Sequence, residues 1–422
     1  MKQSRGIFDT PHTLFYGRVK MVKRNENFAK LQSSYLFQEI VKRKNKFLEK
    51  NPDAKIISLG IGDTTEPITP HINKGLMDAV KGLGTSENYT GYGDEQGLMA
   101  LRERIASTAY SGIISGDEVF VSDGAKPDIG RLQLLFGDIV IAVQDPSYPV
   151  YVDSSVMMGR TGSYNSKTNH FGNMVYMPST PDNNFFPDLK KIGKVDVIFF
   201  CSPNNPTGAA ATREQLQELV DYAKKNNSII IFDAAYSLYI QDGGLPRSIY
   251  EIEGAKEVAI EVNSLSKSSG FTGLRLGWTG VPNELKFDDG SLVRDDWNRI
   301  MTTLFNGASN ISQKGALAAL DKKGLEEMKE TVSYYMENAR IIKTTLKELG
   351  YEVYGGDNAP YIWARIKGMK SWEDFDNILD KANIVTTPGI GFGQAGEGFL
   401  RFSAFGHRKD IEEAVKRLHK LK

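Results

Sequence analysis

The chain has 422 residues, 52 Lys and Arg against 52 Asp and Glu, and a single cysteine. A net charge of zero excludes the basic excess of a nucleic-acid or polyanion binder, and one cysteine excludes an internal disulfide. The length is enough to bury a large core and points to two or more domains.

Residues 1–20 read as an N-terminal extension, because Met21 opens a second plausible start, "MVKRNENFAKLQ". The extension can be native, the remains of a transit sequence or an added tail, and the sequence leaves the three open. With no apolar stretch of membrane-spanning length and no signal-peptide core, the chain reads as a soluble intracellular protein. The expected place is the cytoplasm, or the plastid stroma in a plant or alga. The charge runs "KRKNKFLEK" (42–50) and "HKLK" at the C-terminus read as solvated helix faces. The five histidines show no metal-ligand spacing, so no metal site is expected.

From residue 118 the chain alternates strands and helices. "EVFVS" (118–122) predicts a strand and "PDIGRLQLLF" a helix; "DIVIAV" (138–143) and "VDVIFF" (195–200) predict two further strands. Cys201 follows the second of these and reads as a buried, inert thiol. Thr212 and Gln215 have capping-box spacing, and Leu216, Leu219, Val220 and Ala223 share one face of the helix they open. "SIIIF" (228–232) and "EVAIEV" (257–262) complete the strands. Beyond residue 310 a long helical pattern (324–349) leads into "YEVYGG", "PYIWARI" and "FLRFSAFG", which read as a separate α+β domain joined by the N-terminal segment. The predicted division is a large domain at 62–310 and a small one at 21–61 and 311–422.

Continuous apolar strands with helical crossovers predict an α/β fold whose mostly parallel sheet is covered on both faces; its ligands bind beyond the carboxyl ends of the strands. The residues there are Asp123 to Lys126, Asp145 to Tyr148, Asn204-Asn205, Asp233 to Tyr236, and Ser264 to Lys267. Held beside a carbonyl cofactor, Lys267 can form a Schiff base. Ser264, Ser266 and Arg275 can hold a phosphate dianion, with two hydroxyls and one planar cationic fork. Asp233, at a buried strand end, needs a cationic partner, and a protonated pyridine nitrogen would serve. Tyr236 and Asn205 can donate to a phenolate oxygen, and Tyr148 can stack on a ring. Each of these also has an ordinary structural explanation when read alone: a turn, a cap, a packed aromatic or a surface charge.

Together, "SLSKSSGFTGLRLGW", "SPNNPTG" and "IIIFDAAY" resemble the fold-type I pyridoxal-phosphate aminotransferases of the aspartate aminotransferase superfamily. The resemblance is closer still to the LL-diaminopimelate aminotransferases. It runs from about Met21 to the C-terminus through "SYLFQEI", "GYGDEQG", "VSDGAKPDIGR", "QDPSYPVYVD", "FNGASNISQ", "NAPYIW" and "GEGFLRFSAFGHR". It implies a large domain with a mostly parallel seven-stranded sheet, a smaller α+β domain, and pyridoxal 5′-phosphate as cofactor. It also implies a homodimer with active sites at the subunit interface. The roles it implies are as follows: Lys267 tethers the cofactor and shuttles a proton, Asp233 pairs with the ring nitrogen, Asn205 and Tyr236 bond the ring oxygen, and Tyr148 stacks. Ser264, Ser266, Arg275 and the backbone at Ala125-Lys126 hold the phosphate, Tyr92 reaches it from the partner subunit, and Arg401 clamps the substrate α-carboxylate.

For the far end of the substrate the resemblance implies Glu95 and Tyr35, with Lys126, Gly62 and Asn306 nearby. The implied reaction interconverts LL-2,6-diaminopimelate plus 2-oxoglutarate and tetrahydrodipicolinate plus glutamate. A lysine-using branch of the family shares "SLGIGDTTEPI" and "FFCSPNNPTG" but carries glutamine at the position of Lys126, so lysine there favours diaminopimelate. Ala125 departs from the serine usual in the diaminopimelate enzymes. A lysine or broad-specificity aminotransferase, a lyase of the same fold and a non-catalytic relative remain as alternatives.

Overall fold

A computed structural model of the chain describes residues 22–31 and 36–421. The extension at 1–20 and Tyr35 lie outside the described residues.

Seven strands form the main sheet: β1 (Val119–Ser122), β2 (Ile141–Asp145), β3 (Met174–Pro178), β4 (Val197–Cys201), β5 (Ile229–Asp233), β6 (Ala259–Ser264) and β7 (Gly277–Gly280). Their order is β1-β7-β6-β5-β4-β2-β3; β2 to β6 pair in parallel, and β7 runs antiparallel to β1 and β6. The sequence reading missed two of them. β7 is short and glycine-bounded, and β3 is a short edge strand, Met174 to Met177 closed by an exposed Pro178.

β1, β2, β4 and β5 read as apolar runs because both faces of the sheet are covered, while β6 carries the buried Glu261 and Asn263 among its apolar residues. Val197, Phe199 and Cys201 of β4 enter the core on one face, and Ile198 and Phe200 the core on the other. Each fully buried Val, Ile or Phe contributes about 1.5–3 kcal/mol. The crossover helix Arg213–Asn226 follows from its sequence: Thr212 caps it in a reciprocal box with Gln215, and Leu216, Leu219, Val220 and Ala223 bury its inner face.

A second, antiparallel sheet holds β8 (Glu352–Gly355), β9 (Tyr361–Arg365), β10 (Thr387–Pro388) and β11 (Leu400–Ser403), in the order β8-β9-β11-β10. Its core takes in Leu36, Ile40 and Phe47 from the helix Leu36–Lys50, and Ile57-Ser58 pairs in parallel with Ile384-Val385. The N-terminal segment thus packs with the C-terminal sheet. The helix Lys322–Glu348 links the cores: Met328 packs under the large sheet, Ala339 and Ile342 against the small one. Among the described residues, no helix is long and apolar enough to cross a membrane.

Candidate active site

The carboxyl ends of β1, β2, β4, β5 and β6 open on one edge of the sheet, and Arg275 precedes β7 on that same edge. Between this edge and the small sheet lies a cavity of about 490 Å³. Its lining includes Lys267, Asp233, Tyr236, Asn205, Tyr148, Ser264, Ser266, Arg275, Ala125, Lys126, Gly62 and Arg401. Twelve residues singled out from the sequence therefore share one space.

At its floor, Asp233 is the last residue of β5 and is buried. Burial pushes its carboxyl above the usual range; hydrogen bonds from Tyr151 Oη to Oδ2 (2.7 Å) and from the Ala235 N–H to Oδ1 (3.1 Å) oppose that shift. Cys201, paired with Asp233 on the neighbouring strand, is buried, and burial raises its thiol well above the ordinary value, so it is neutral.

At one end, Ser264 Oγ lies 2.8 Å from Ser266 Oγ. Gly124 (φ +127°) leads into the helix Ala125–Leu132, where a Cβ would run into the Arg275 guanidinium. Only glycine lets the helix start this close to the cation. Two hydroxyls, a guanidinium and a helix N-terminus converge there, as a phosphate requires.

Arg401 is 2 % exposed. Its Nη1 donates to Asn205 Oδ1 (2.7 Å) and its Nη2 to the Gly60 carbonyl (2.6 Å), both neutral acceptors, while its buried Nε has no partner. A buried guanidinium held only by neutral groups is an anion receptor. Because Asn205 spends its carbonyl on Arg401, its amide N–H groups remain for the cavity.

Lys267 Nζ donates to the Gly62 carbonyl. Burial brings its pKa down to about 8; Asp63 opposes this, and Arg401, Arg275 and Lys126 add to it. The hydrogen bonds of Lys267, Arg275 and Arg401 go to neutral acceptors. The cavity thus carries excess positive charge, suited to a ligand with at least two anionic groups. Lys126 Nζ sits 5.8 Å from the centre of the Tyr148 ring, within cation–π range.

Three predicted residues stay outside this lining. Tyr92 is 90 % exposed, Glu95 is half-buried and Asn306 is exposed. Asn306 (φ +65°) and Gly307 (φ +92°) form a left-handed turn that packs on the backbone of Asp94 and Glu95. The structure brings the loops of Glu95 and Asn306 together, outside the lining of the cavity. Sequence reasoning also missed Tyr151 and Tyr361, which line the cavity. Tyr151 carried a signal: it lies three residues after Tyr148, and one helical turn places such residues side by side. Tyr361 sits in an aromatic strand, "YIWAR", that reads only as core.

A family model for aminotransferase class I and II matches residues 54–418. The chain is 58 % identical over 402 residues to the chloroplastic LL-diaminopimelate aminotransferase of Arabidopsis thaliana, covering 95 % of this chain and 87 % of that one. It is 56 % identical over 399 residues to the LL-diaminopimelate aminotransferase of Protochlamydia amoebophila, covering 94 % and 97 %. Among solved structures, the L,L-diaminopimelate aminotransferase of Chlamydomonas reinhardtii superposes with a TM-score of 0.91 at 59 % identity, covering 96 % of this chain and 99 % of that one.

Proposed function

The chain belongs to the class I and II aminotransferases, and on that premise we propose that it moves an amino group between LL-2,6-diaminopimelate and 2-oxoglutarate, giving tetrahydrodipicolinate and glutamate. Pyridoxal 5′-phosphate fits the residues present. The orphaned, buried Arg401 Nε and the cationic excess around Lys267 call for anions, and Asp233 supplies the one buried carboxylate on the cavity floor. When bound, this cofactor supplies an electron sink for the pair released at the substrate Cα.

The chain's own groups do the rest. Ser264, Ser266, Arg275 and the N–H groups of Ala125 and Lys126 hold the phosphate. Asp233, oriented by Tyr151, keeps a proton on the ring nitrogen, while Asn205 and Tyr236 donate to the ring oxygen and Tyr148 covers one face. Lys267, whose lowered pKa leaves a usable fraction of free amine near neutrality, anchors the cofactor and moves the proton at Cα. Arg401 takes the α-carboxylate in a two-pronged grip.

Lys126 meets the distal carboxylate of diaminopimelate. Glu95, with Tyr35, Tyr92 and Asn306, serves the cavity of a second copy, which the 90 % exposure of Tyr92 supports in this homodimer proposal. The domain division at 62–310 against 21–61 with 311–422 belongs to the same proposal, as does a cytoplasmic or, in a plant or alga, plastid setting.

The observation that carries the reading is the single cavity shared by Lys267, Asp233, Arg275 and Arg401. The test is glutamate formation from 2-oxoglutarate by purified protein with LL-diaminopimelate, lysine and aromatic amino donors in parallel. Diaminopimelate should be used far faster than the others, and the reverse order refutes the substrate.

A further inference from the structure

Tyr361 is the residue whose contacts the proposed roles leave unexplained. It is 1 % exposed, stands on β9, and shares with Arg401 of β11 a diagonal position across the small sheet. The Arg401 guanidinium lies over its ring, 4.5 Å from the centre. Its hydroxyl is 2.7 Å from the Tyr236 hydroxyl. That hydroxyl also fills the space where a Cβ on Gly62 would sit, and the carbonyl of Gly62 receives Lys267 Nζ. One phenol from the small sheet thus touches the carboxylate clamp, the donor to the ring oxygen and the peptide that holds the lysine.

Resting on the cofactor reading above, we propose that Tyr361 is a positioning residue that ties the α-carboxylate clamp to Tyr236 and sets the proton affinity at the Lys267 nitrogen. A phenol has one proton. Either hydroxyl of the pair can donate when the two stand alone. Once Tyr236 turns its proton toward an acceptor in the cavity, Tyr361 must donate to Tyr236. Donation into Tyr236 polarises its O–H bond and makes it a stronger donor. A stronger donor draws charge off the cofactor's ring oxygen, which otherwise helps to hold a proton on the Lys267 nitrogen. Losing the Tyr361 hydroxyl leaves that charge in place and keeps the proton there to higher pH. The ring has a separate duty. Its face supports Arg401, and a phenyl group does this as well.

The experiment loads wild type, Tyr361→Phe and Lys267→Ala with pyridoxal phosphate and follows the visible absorbance against pH. The wild type should show a titrating band that Lys267→Ala lacks. Tyr361→Phe should raise the midpoint by about one unit, the size expected for one lost hydrogen bond. Its kcat should fall about fivefold while KM for the amino donor stays within about twofold, because Arg401 keeps its ring. Gly62→Ala, whose methyl pushes the hydroxyl away, should shift the midpoint in the same direction. A wild type without a band overturns the cofactor reading itself. A normal wild-type band with an unchanged or lowered midpoint in Tyr361→Phe overturns this inference alone.

Discussion

The floor of the cavity and the surface loops outside its lining use similar residues and hold them in opposite ways. On the floor, Asp233 accepts from Tyr151 and from the Ala235 N–H, and Arg401 is fixed by Asn205 and Gly60. In the loops, Tyr92 stands 90 % exposed, and the left-handed turn at Asn306-Gly307 packs on the backbone of Asp94 and Glu95. The floor is complete within one chain because rigid strand ends place its groups. Tyr92, Glu95 and Asn306 of the loops stand outside the lining of the cavity. On the homodimer reading proposed above, most groups that meet every amino donor stand in one protomer, and Tyr92 and Glu95 act on the cavity of a second copy.

The heaviest blow to this contrast falls on the floor. Asp233→Ala removes one member of a buried pair, and kcat should drop by about 10²–10³-fold in steady-state assays. A loss of less than tenfold would make the floor no more demanding than the loops. Next comes the sharing itself. Tyr92→Phe and Lys267→Ala, each impaired alone, should regain about a quarter of wild-type activity when unfolded and refolded together, since one site in each mixed dimer is then intact. No regain would place Tyr92 in its own chain's site.

Lys126→Gln should raise KM for diaminopimelate about tenfold or more and change turnover of lysine much less, because only the former loses a partner for its distal carboxylate. Tyr151→Phe keeps the stack on Phe199 (ring centres 5.2 Å apart) and removes the hydroxyl from Asp233, so kcat should fall about fivefold and the melting temperature by about 1–2 °C.

The smallest effect serves as a control, a buried carboxylate that the cavity does not use. Glu261, bonded by Ser248 and the Ile249 N–H, is pushed up by burial to about 7. The folded state therefore keeps its proton where the unfolded state has lost it. Stability should be full below the ordinary glutamate range and should fall as pH rises from there to about 7. Melting scans should show a decline of a few degrees across that window, flattened in Glu261→Gln with activity intact. A large loss of activity would mean that burial alone, and not position in the cavity, makes a carboxylate matter.

Much of the floor was legible in the sequence. The strands around it are largely apolar runs, and Asp233, Asn205 and Lys267 follow three of them, so their place at the open edge was readable from the pattern while their roles came from the resemblance. The outer loops were legible only by resemblance. Tyr92, Glu95 and Asn306 lie in turns whose partners belong to no nearby segment, and local pattern says nothing about a second copy. Tyr361 was invisible for a different reason. In a strand of aromatic and aliphatic residues a tyrosine reads as core, and its hydroxyl gains meaning only when the fold carries it to Tyr236, 125 residues away in the chain. Strand β7 escaped because its flanking glycines break the apolar pattern, and β3 because its apolar run, Met174 to Met177, is short and ends at Pro178.

The central claim is that one small molecule is tethered at Lys267, between Asp233 and the anion cradle at Arg275. Borohydride reduction of the protein loaded with pyridoxal phosphate, followed by peptide mass spectrometry, tests it most directly. The account predicts a single reduced adduct, on the peptide that contains Lys267. A label on another lysine, or none at all, would contradict it.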